Sequence, residues 1–165
     1  MDERSLPVTD SIEVKVTHRF AATPERVYDA LLDPQKARLW QQGWMAQTGS
    51  PGTIITSEID PVVGGRFQFG GRGEDGVEAH SWGRYRRLGR PNLVEFAWIV
   101  DPAEEDNPSV VTVIIEPEPE GTGSVVTLYN PMGAEWAEYR ERTERAWMAM
   151  LSAVDAVLRA EGPAA

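Results

Sequence analysis

The sequence predicts an α+β fold, in which a curved antiparallel sheet of about six to seven strands wraps around one long C-terminal helix. Three observations lead to this prediction. Short runs of alternating polarity recur through residues 12–129, and Gly-, Pro- and Asn-rich turns separate them. The apolar period becomes helical over residues 134–160. One further helical stretch follows the first of the alternating runs.

The first run, residues 12–20, alternates strictly and predicts a strand with one wet face. Val16, His18 and Phe20 share the apolar face of this strand, and Thr17 and Arg19 lie on the polar one. A histidine on an apolar face is more typical of a hydrogen-bonded core residue than of a catalyst. We therefore expect His18 to bond a partner inside the fold.

The next segment, TPERVYDALLDP, predicts a short helix flanked by prolines. Thr23 can cap this helix, Pro24 suits its first turn, and Pro34 ends it. Its apolar stripe is short, so we expect the helix to brace one end of the long helix. The most direct interpretation of the segment is structural support.

A second helical turn can follow at residues 35–40, whereas the Gly-, Ser- and Gln-rich stretch 41–52 predicts a loop. Trp44 lies in this predicted loop, where packing of regular elements does not demand a large ring. A lid over a ligand and a hydrophobic plug are equal alternatives for Trp44.

Six more runs read as strands, with tight connections such as GGRGEDG, GRPN and EPEGTG between them. Closely spaced hairpins of this kind predict an antiparallel meander. The predicted strands are residues 53–59, 66–69, 77–88, 93–100, 110–116 and 124–129.

The long helix is predicted over residues 134–160, where apolar side chains recur at i, i+3, i+4 and i+7. On its wet side, Glu138 with Arg142 and Glu141 with Arg145 have the spacing of i,i+4 ion pairs. This helix is the one predicted element that is long enough to cover the apolar face of the sheet.

A single domain over residues 12–161 is the simplest organisation, with a flexible N-terminal segment 1–11 and a tail 162–165 that begins with the helix-ending Gly-Pro. The formal charge of the 165 residues is −10, which disfavours nucleic acid as a partner. No apolar run is long enough for membrane insertion. The chain has no cysteine, which excludes disulfides and thiolate sites and fits a cytoplasmic location.

A sheet curved around a helix leaves a cavity where the sheet splays away, and apolar cavities are the usual ligand sites. Tyr85 is assigned to the inner face because its neighbours Arg84 and Arg86 prefer water. Trp44 covers one approach to the cavity. The predicted ligand-binding residues are Trp44, Phe67, Phe69, Tyr85, Phe96, Trp98, Trp147 and Leu151.

The sequence assigns no catalytic residue and no cofactor. His18 and His80 are the two histidines, and their spacing matches no metal motif, so we expect no metal site. Among the acidic candidates for proton transfer, Glu95 faces outward by alternation and Asp60 opens a turn, so neither forms a convincing pair.

The order of several motifs resembles the START-like (SRPBCC) superfamily, and more narrowly the branch named for the activator of Hsp90 ATPase homologue-like domain. The most specific pieces are the proline-flanked helix, the DPVVGGRF turn, the Gly-x-Tyr of SWGRYRRLG and the tryptophan of RAWMAML. The resemblance implies a helix-grip fold with a deep, mostly hydrophobic cavity under the long helix. It implies no reaction, because this fold serves many functions. The family pattern has an arginine where this chain has His18.

Three functions are open, and we favour binding of a small hydrophobic or aromatic molecule in the cavity over catalysis. The first alternative is a polyketide cyclase/aromatase-like enzyme, in which Tyr85 or His18 orients the substrate. The second is a co-chaperone-like domain, which binds a chaperone through its acidic surface and an exposed Trp82. A homodimer formed through a sheet edge or Trp82 is a further hypothesis.

Overall fold

The computed structural model describes residues 11–47 and 52–162. Within them lie seven strands, three α-helices and two short 3₁₀ turns at Pro102–Glu104 and Ala134–Tyr139. The strands are β1 (Ser11–Phe20), β2 (Gly52–Ile59), β3 (Arg66–Gly73), β4 (Glu78–Gly89), β5 (Leu93–Trp98), β6 (Ser109–Pro117) and β7 (Ser124–Gly133). The helices are α1 (Pro24–Leu32), α2 (Pro34–Gln47) and α3 (Arg140–Glu161).

All neighbouring strands are antiparallel, in the order β1-β7-β6-β5-β4-β3-β2. Only β1 leaves the sequential order, since it pairs with β7 at one edge of the sheet. Helix α3 packs on the inner face of the sheet. The predicted helix-grip α+β fold is therefore confirmed, including the meander from β2 to β7.

Helix α1 forms as its sequence predicts. The Thr23 Oγ1 accepts a hydrogen bond from the Arg26 amide, and Pro24 occupies the first turn. The Arg26 guanidinium then reaches the last turn of α3, where it donates to the carbonyl oxygens of Leu158 (3.5 Å) and Gly162 (3.0 Å). The short helix therefore braces the end of the long one. We call this end of the sheet, where α1 meets the last turns of α3, the closed end.

The loop prediction for residues 41–52 is wrong over its first half, because α2 continues through Gln47. Ala37, Trp40 and Gln41 form a buried helical stripe. The Trp40 indole Nε1 donates to the carbonyl oxygen of Ala30 at 3.0 Å, which ties α2 to α1. The polar residues of α2 are typical of a loop, but in the fold the side chains of Arg38 and Gln42 bond the backbone of β2. Residues 48–51 lie outside the described residues.

The long helix begins six residues later than predicted, at Arg140, and the preceding Ala134–Tyr139 is a 3₁₀ turn. Trp136 and Tyr139 are three residues apart, a spacing that suits a 3₁₀ turn as well as an α-helix, so the apolar pattern does not separate the two. We call this end of the sheet, where the 3₁₀ turn faces the β5–β6 connection and the end of β7, the open end.

The buried core runs between the sheet and α3, and its largest fully buried side chains include Phe20, Ile115, Leu128 and Leu151. Ser11, the last residue of the predicted N-terminal segment 1–11, belongs to β1. Residues 1–10 and 163–165, which hold the rest of that segment and of the tail, lie outside the described residues. None of the described helices has the length and apolarity needed to cross a membrane.

Candidate functional site

Two adjoining spaces lie between the sheet and the helices. The inner one is a cavity of about 40 Å³ with almost wholly apolar walls. This volume is far smaller than the deep cavity that the family resemblance implies, because aromatic rings fill most of the interior. The lining residues are Leu31, Leu32, Trp40, Trp44, Phe67, Phe69, Tyr85, Val94, Phe96, Trp98, Val113, Trp147 and Met150.

The outer space is an open groove of about 1030 Å³ at the open end. Its walls come from the β5–β6 connection, the end of β7 with the 3₁₀ turn that follows it, and the first turns of α3. Exposed apolar side chains stand among its lining residues, namely Val100, Trp136 and Tyr139. Apolar side chains clustered on a concave surface are a mark of a ligand or partner site.

Three tryptophans line both spaces: Trp44 from α2, Trp98 from the end of β5, and Trp147 from α3. We call them the tryptophan trio. The ring centroids lie 6.0 Å apart for Trp44 and Trp98, 5.6 Å for Trp44 and Trp147, and 5.3 Å for Trp98 and Trp147. Rings at these distances make favourable aromatic contacts. The trio therefore forms the partition between the cavity and the groove.

Trp147 is fixed by a polar contact as well as by packing. Its indole Nε1 donates to the Asn130 Oδ1 at 2.9 Å, and both residues are buried. Asn130 in turn donates from Nδ2 to the carbonyl oxygen of Pro131 at 3.2 Å. Because the indole N–H is satisfied within the fold, Trp147 lines the two spaces with the apolar surface of its ring.

The DPVVGGRF turn sets the position of Tyr85. Gly64 has a φ of +82°, a conformation that favours glycine. Its amide donates to the carbonyl oxygen of Tyr85 at 2.8 Å, and the Tyr85 amide donates to the carbonyl oxygen of Gly65 at 3.0 Å. The turn thus pairs with β4, and the Tyr85 side chain is directed to the buried face, as predicted.

The Gly-x-Tyr motif has a steric reason. A Cβ at Gly83 would collide with the backbone carbonyl of Ala97 on β5 and with the ring of Phe67 on β3. Glycine is therefore needed where three strands bring the cavity rings together. The Phe67 centroid lies 5.4 Å from Tyr85 and 5.5 Å from Phe96.

The electrostatics of the cavity disfavour charge. Burial raises the pKa of Tyr85 above its ordinary value, and the nearby Tyr28 adds to the effect. On the outer face of β5, the pKa of Glu95 is lowered instead. There the Arg87 guanidinium donates to both carboxylate oxygens, at 3.0 and 2.7 Å, and lowers the pKa of Glu95. The cavity is thus neutral, and Glu95 faces away from it.

Comparison with protein families matches residues 21–159 to the family described as Activator of Hsp90 ATPase homolog 1-like protein. The chain belongs to this family. A search of curated proteins found no match to the chain. The family assignment confirms the branch that the sequence resembles.

Solved structures of bacterial proteins share the fold. A protein from Chromobacterium violaceum is 22% identical, with a TM-score of 0.69 over 88% of this chain and 96% of that one. A protein from Arthrobacter aurescens is 21% identical, with a TM-score of 0.70 over 92% and 88%. A protein of unknown function from Staphylococcus aureus is 19% identical, with a TM-score of 0.73 over 92% and 96%. At these identities the likeness concerns the fold alone.

Of the eight residues predicted to bind a ligand, seven line the cavity. The eighth, Leu151, lines neither the cavity nor the groove. Leu151 is fully buried in the core between the helix and the sheet. Trp44, predicted in a loop over one approach to the cavity, belongs to helix α2 and lines both the cavity and the groove. The prediction missed Trp40, Met150 and most of the groove, whose segments lie far apart in the sequence.

The two histidines lie outside both spaces. The His18 Nε2 is 2.9 Å from the Asp155 Oδ2 on α3, so the prediction of a hydrogen-bonded histidine is confirmed. The His80 Nε2 is 3.1 Å from the Glu78 Oε1 at an exposed position. Among residues 11–47 and 52–162, no group of three or more potential ligands could hold a metal ion.

Trp82 is half-buried, in contrast to its predicted exposure. Its indole Nε1 donates to the Glu105 Oε2 at 3.0 Å, and its backbone bridges Ile99. The indole therefore joins β4 to the β5–β6 connection, which forms one wall of the groove.

Proposed function

We propose that this protein binds a small, largely apolar ligand, aromatic in particular, in the groove at its open end, with the tryptophan trio as the floor. The observation that supports this most is that Trp44, Trp98 and Trp147 adjoin a space of about 1030 Å³ on one side and a cavity of about 40 Å³ on the other. Typical ligand pockets measure about 300–1,000 Å³, so the groove is the space of suitable size. The cavity has room for a small group of the ligand at most.

A purely binding role needs fewer assumptions than an enzyme of the cyclase/aromatase kind. Tyr85 lines the cavity, but its raised pKa makes the phenol a poor proton-transfer group near neutral pH. His18 is bonded to Asp155 and lines neither space. The two candidates named for catalysis therefore do not share one site.

A co-chaperone role, which the family name suggests, has less support. The indole N–H of Trp82 is already bonded to Glu105, so this residue is a poor centre for a protein contact. A dimer through β2 is disfavoured as well, because Arg38 and Gln42 of α2 bond the backbone of this edge strand. The homodimer, the chaperone contact and the cytoplasmic location stay predictions.

A neutral fluorescent probe, N-phenyl-1-naphthylamine, tests the proposal. We expect saturable binding with a rise in probe fluorescence, and we expect Ala146→Gln to weaken it about tenfold or more. Ala146 is half-buried and lines the groove one residue before Trp147, so a longer side chain there occupies ligand space without disturbing a good helix position.

Ala156→Gln is the matched control, because Ala156 is exposed on the same helix and lines neither space. This variant should bind the probe like the parent protein. No saturable binding up to the solubility limit, or equal affinity in the Ala146→Gln variant, would contradict the proposed function.

A further inference from the structure

Arg142 differs from the other arginines of α3. Arg140 lies 3.7 Å from Glu144, Arg145 lies 3.9 Å from Glu141, and Arg159 lies 3.1 Å from Asp155. Arg142 forms no such ion pair or side-chain hydrogen bond within residues 11–47 and 52–162. It is also the cation among the residues that line the groove.

The start of the helix explains why Arg142 is unpaired. The i,i+4 spacing predicts an ion pair with Glu138, but Glu138 lies in the 3₁₀ turn and not in the α-helix. The side chains therefore do not stack one α-helical turn apart, as such a pair requires. The guanidinium is left at the rim of the groove with its five N–H donors available.

Arg142 borders the groove whose floor is aromatic. Arg142, Thr143, Ala146 and Trp147 all line the groove. Arg142 precedes Trp147 by five residues, so their Cα atoms lie about 7.5 Å apart along the helix axis and about 140° apart around it. The arginine side chain is long and lines the groove, so its guanidinium can meet a short polar group of a ligand whose rings lie on the trio.

We propose that Arg142 binds the carboxylate of an amphipathic monoanion whose apolar part lies on the tryptophan trio. This inference rests on the proposed function and names its ligand class. A planar guanidinium matches a carboxylate with two parallel hydrogen bonds.

The other charged groove residues, Glu104 and Glu135, limit the ligand to one negative charge. Glu104 is already engaged, since its Oε1 accepts hydrogen bonds from the amides of Val100 and Asp101, at 2.9 and 3.1 Å. Both carboxylates would repel a second anionic group.

Isothermal titration with naphthalene-1-acetate and naphthalene-1-acetamide tests this assignment, because the two probes share their rings and differ in charge. We expect the carboxylate to bind about two- to fivefold more tightly than the amide, a ratio typical of an exposed ion pair. Arg142→Gln should bring this ratio close to one, and Arg142→Lys should keep part of it.

Arg145→Gln is the matched control, since it removes the same charge from the same helix at an exposed position outside the groove. It should leave the ratio unchanged. Equal binding of the two probes, tighter binding of the cation 1-naphthylmethylammonium, or an unchanged ratio in Arg142→Gln would overturn the role of Arg142. If the neutral amide and N-phenyl-1-naphthylamine still bind in those cases, the proposed function stands; if no probe binds, both proposals fail.

Discussion

The two ends of helix α3 are held in different ways. At the closed end, the Arg26 guanidinium bonds the last carbonyl groups of the helix and the Glu161 carboxylate. Lys36 of α2 reaches the other oxygen of Glu161 at 3.1 Å. Cations at a helix C-terminus are favoured by the helix dipole as well as by these bonds. Three helices are therefore joined at this end.

At the open end, the helix begins without a side-chain cap. Tyr139 occupies the N-cap position and makes no capping bond, and Trp136 before it is 52% exposed. The first turn carries Arg142 without an intramolecular partner among the described residues. The polar contacts that join the helices thus lie at the closed end, and exposed apolar side chains lie at the open end. The fold can therefore hold an open groove at one end while its core stays closed.

The largest expected difference between the two ends is in the stability lost when a large apolar side chain is removed. Leu158→Ala, near the closed end, should lower the free energy of unfolding by about 2–5 kcal/mol, because it leaves a cavity where no water can enter. Trp136→Ala, at the open end, should change it by about 0.5 kcal/mol or less, since the ring is half in solvent. Urea unfolding of both variants measures the difference.

Leu158 is 3% exposed and belongs to the hydrophobic core. If Trp136→Ala destabilised the protein as much as Leu158→Ala, the open end would be part of the folding core, and the contrast between the ends would be wrong.

A smaller loss of stability is expected when the hydrogen bonds of Asp155 near the closed end are weakened. The Asp155 carboxylate is bonded to His18 by one oxygen and to the Arg159 Nε, at 3.1 Å, by the other. Asp155→Asn keeps the shape but removes the charge, and should lower the free energy of unfolding by about 1–3 kcal/mol. Thermal and urea unfolding at neutral pH measure this loss.

Glu141→Gln provides the comparison at the open end. Its pair with Arg145 is 3.9 Å long and exposed, so its removal should leave stability unchanged within error. Equal losses of stability in the two variants would show that the contacts of Asp155 contribute no more than an exposed ion pair.

The sequence predicted the sheet well because alternation and turn residues are local signals. All seven strands were found, and so were the inward positions of Phe67, Tyr85 and Trp98. Local signals were weaker for α2, where glutamines and a glycine at 43 suggested a loop. In the fold, the Gln42 side chain bonds the backbone of β2, and a Cβ at Gly43 would contact Ala153 of α3. These partners are distant in the sequence, so the pattern alone does not reveal them.

The groove could not be predicted for the same reason. Its walls come from residue 44, residues 98–110, residues 130–139 and the first turns of α3. The order β5-β6-β7 brings the β5–β6 connection and the end of β7 to one end, and the packing of α2 and α3 on the sheet, which no local pattern reveals, adds the remaining walls. The free guanidinium of Arg142 depends on where the α-helix begins, and helix boundaries are the least certain feature of a periodic pattern.

The smallest expected change in stability concerns Gln41 of α2. This helix carries Lys36 at the closed end and Trp44 of the tryptophan trio. Gln41 is 3% exposed, and neither Nε2 nor Oε1 of its amide has a hydrogen-bond partner within residues 11–47 and 52–162. The polar side chains at the closed end are paired, whereas this one is buried without compensation. Such a group lowers stability relative to an apolar side chain of the same shape.

Gln41→Met should therefore raise the free energy of unfolding by about 1 kcal/mol, since methionine has a similar length and a good helix propensity. Gln42→Met is the matched control. The neighbouring amide of Gln42 donates to the carbonyl oxygen of Gly52 at 2.6 Å and accepts from the amide of Ile54 at 3.1 Å, so its loss should destabilise the protein. Urea unfolding should thus shift in opposite directions for the two substitutions. A loss of stability in both would mean that Gln41 contributes a polar interaction in solution, and that the polar pairing of the closed end extends along α2.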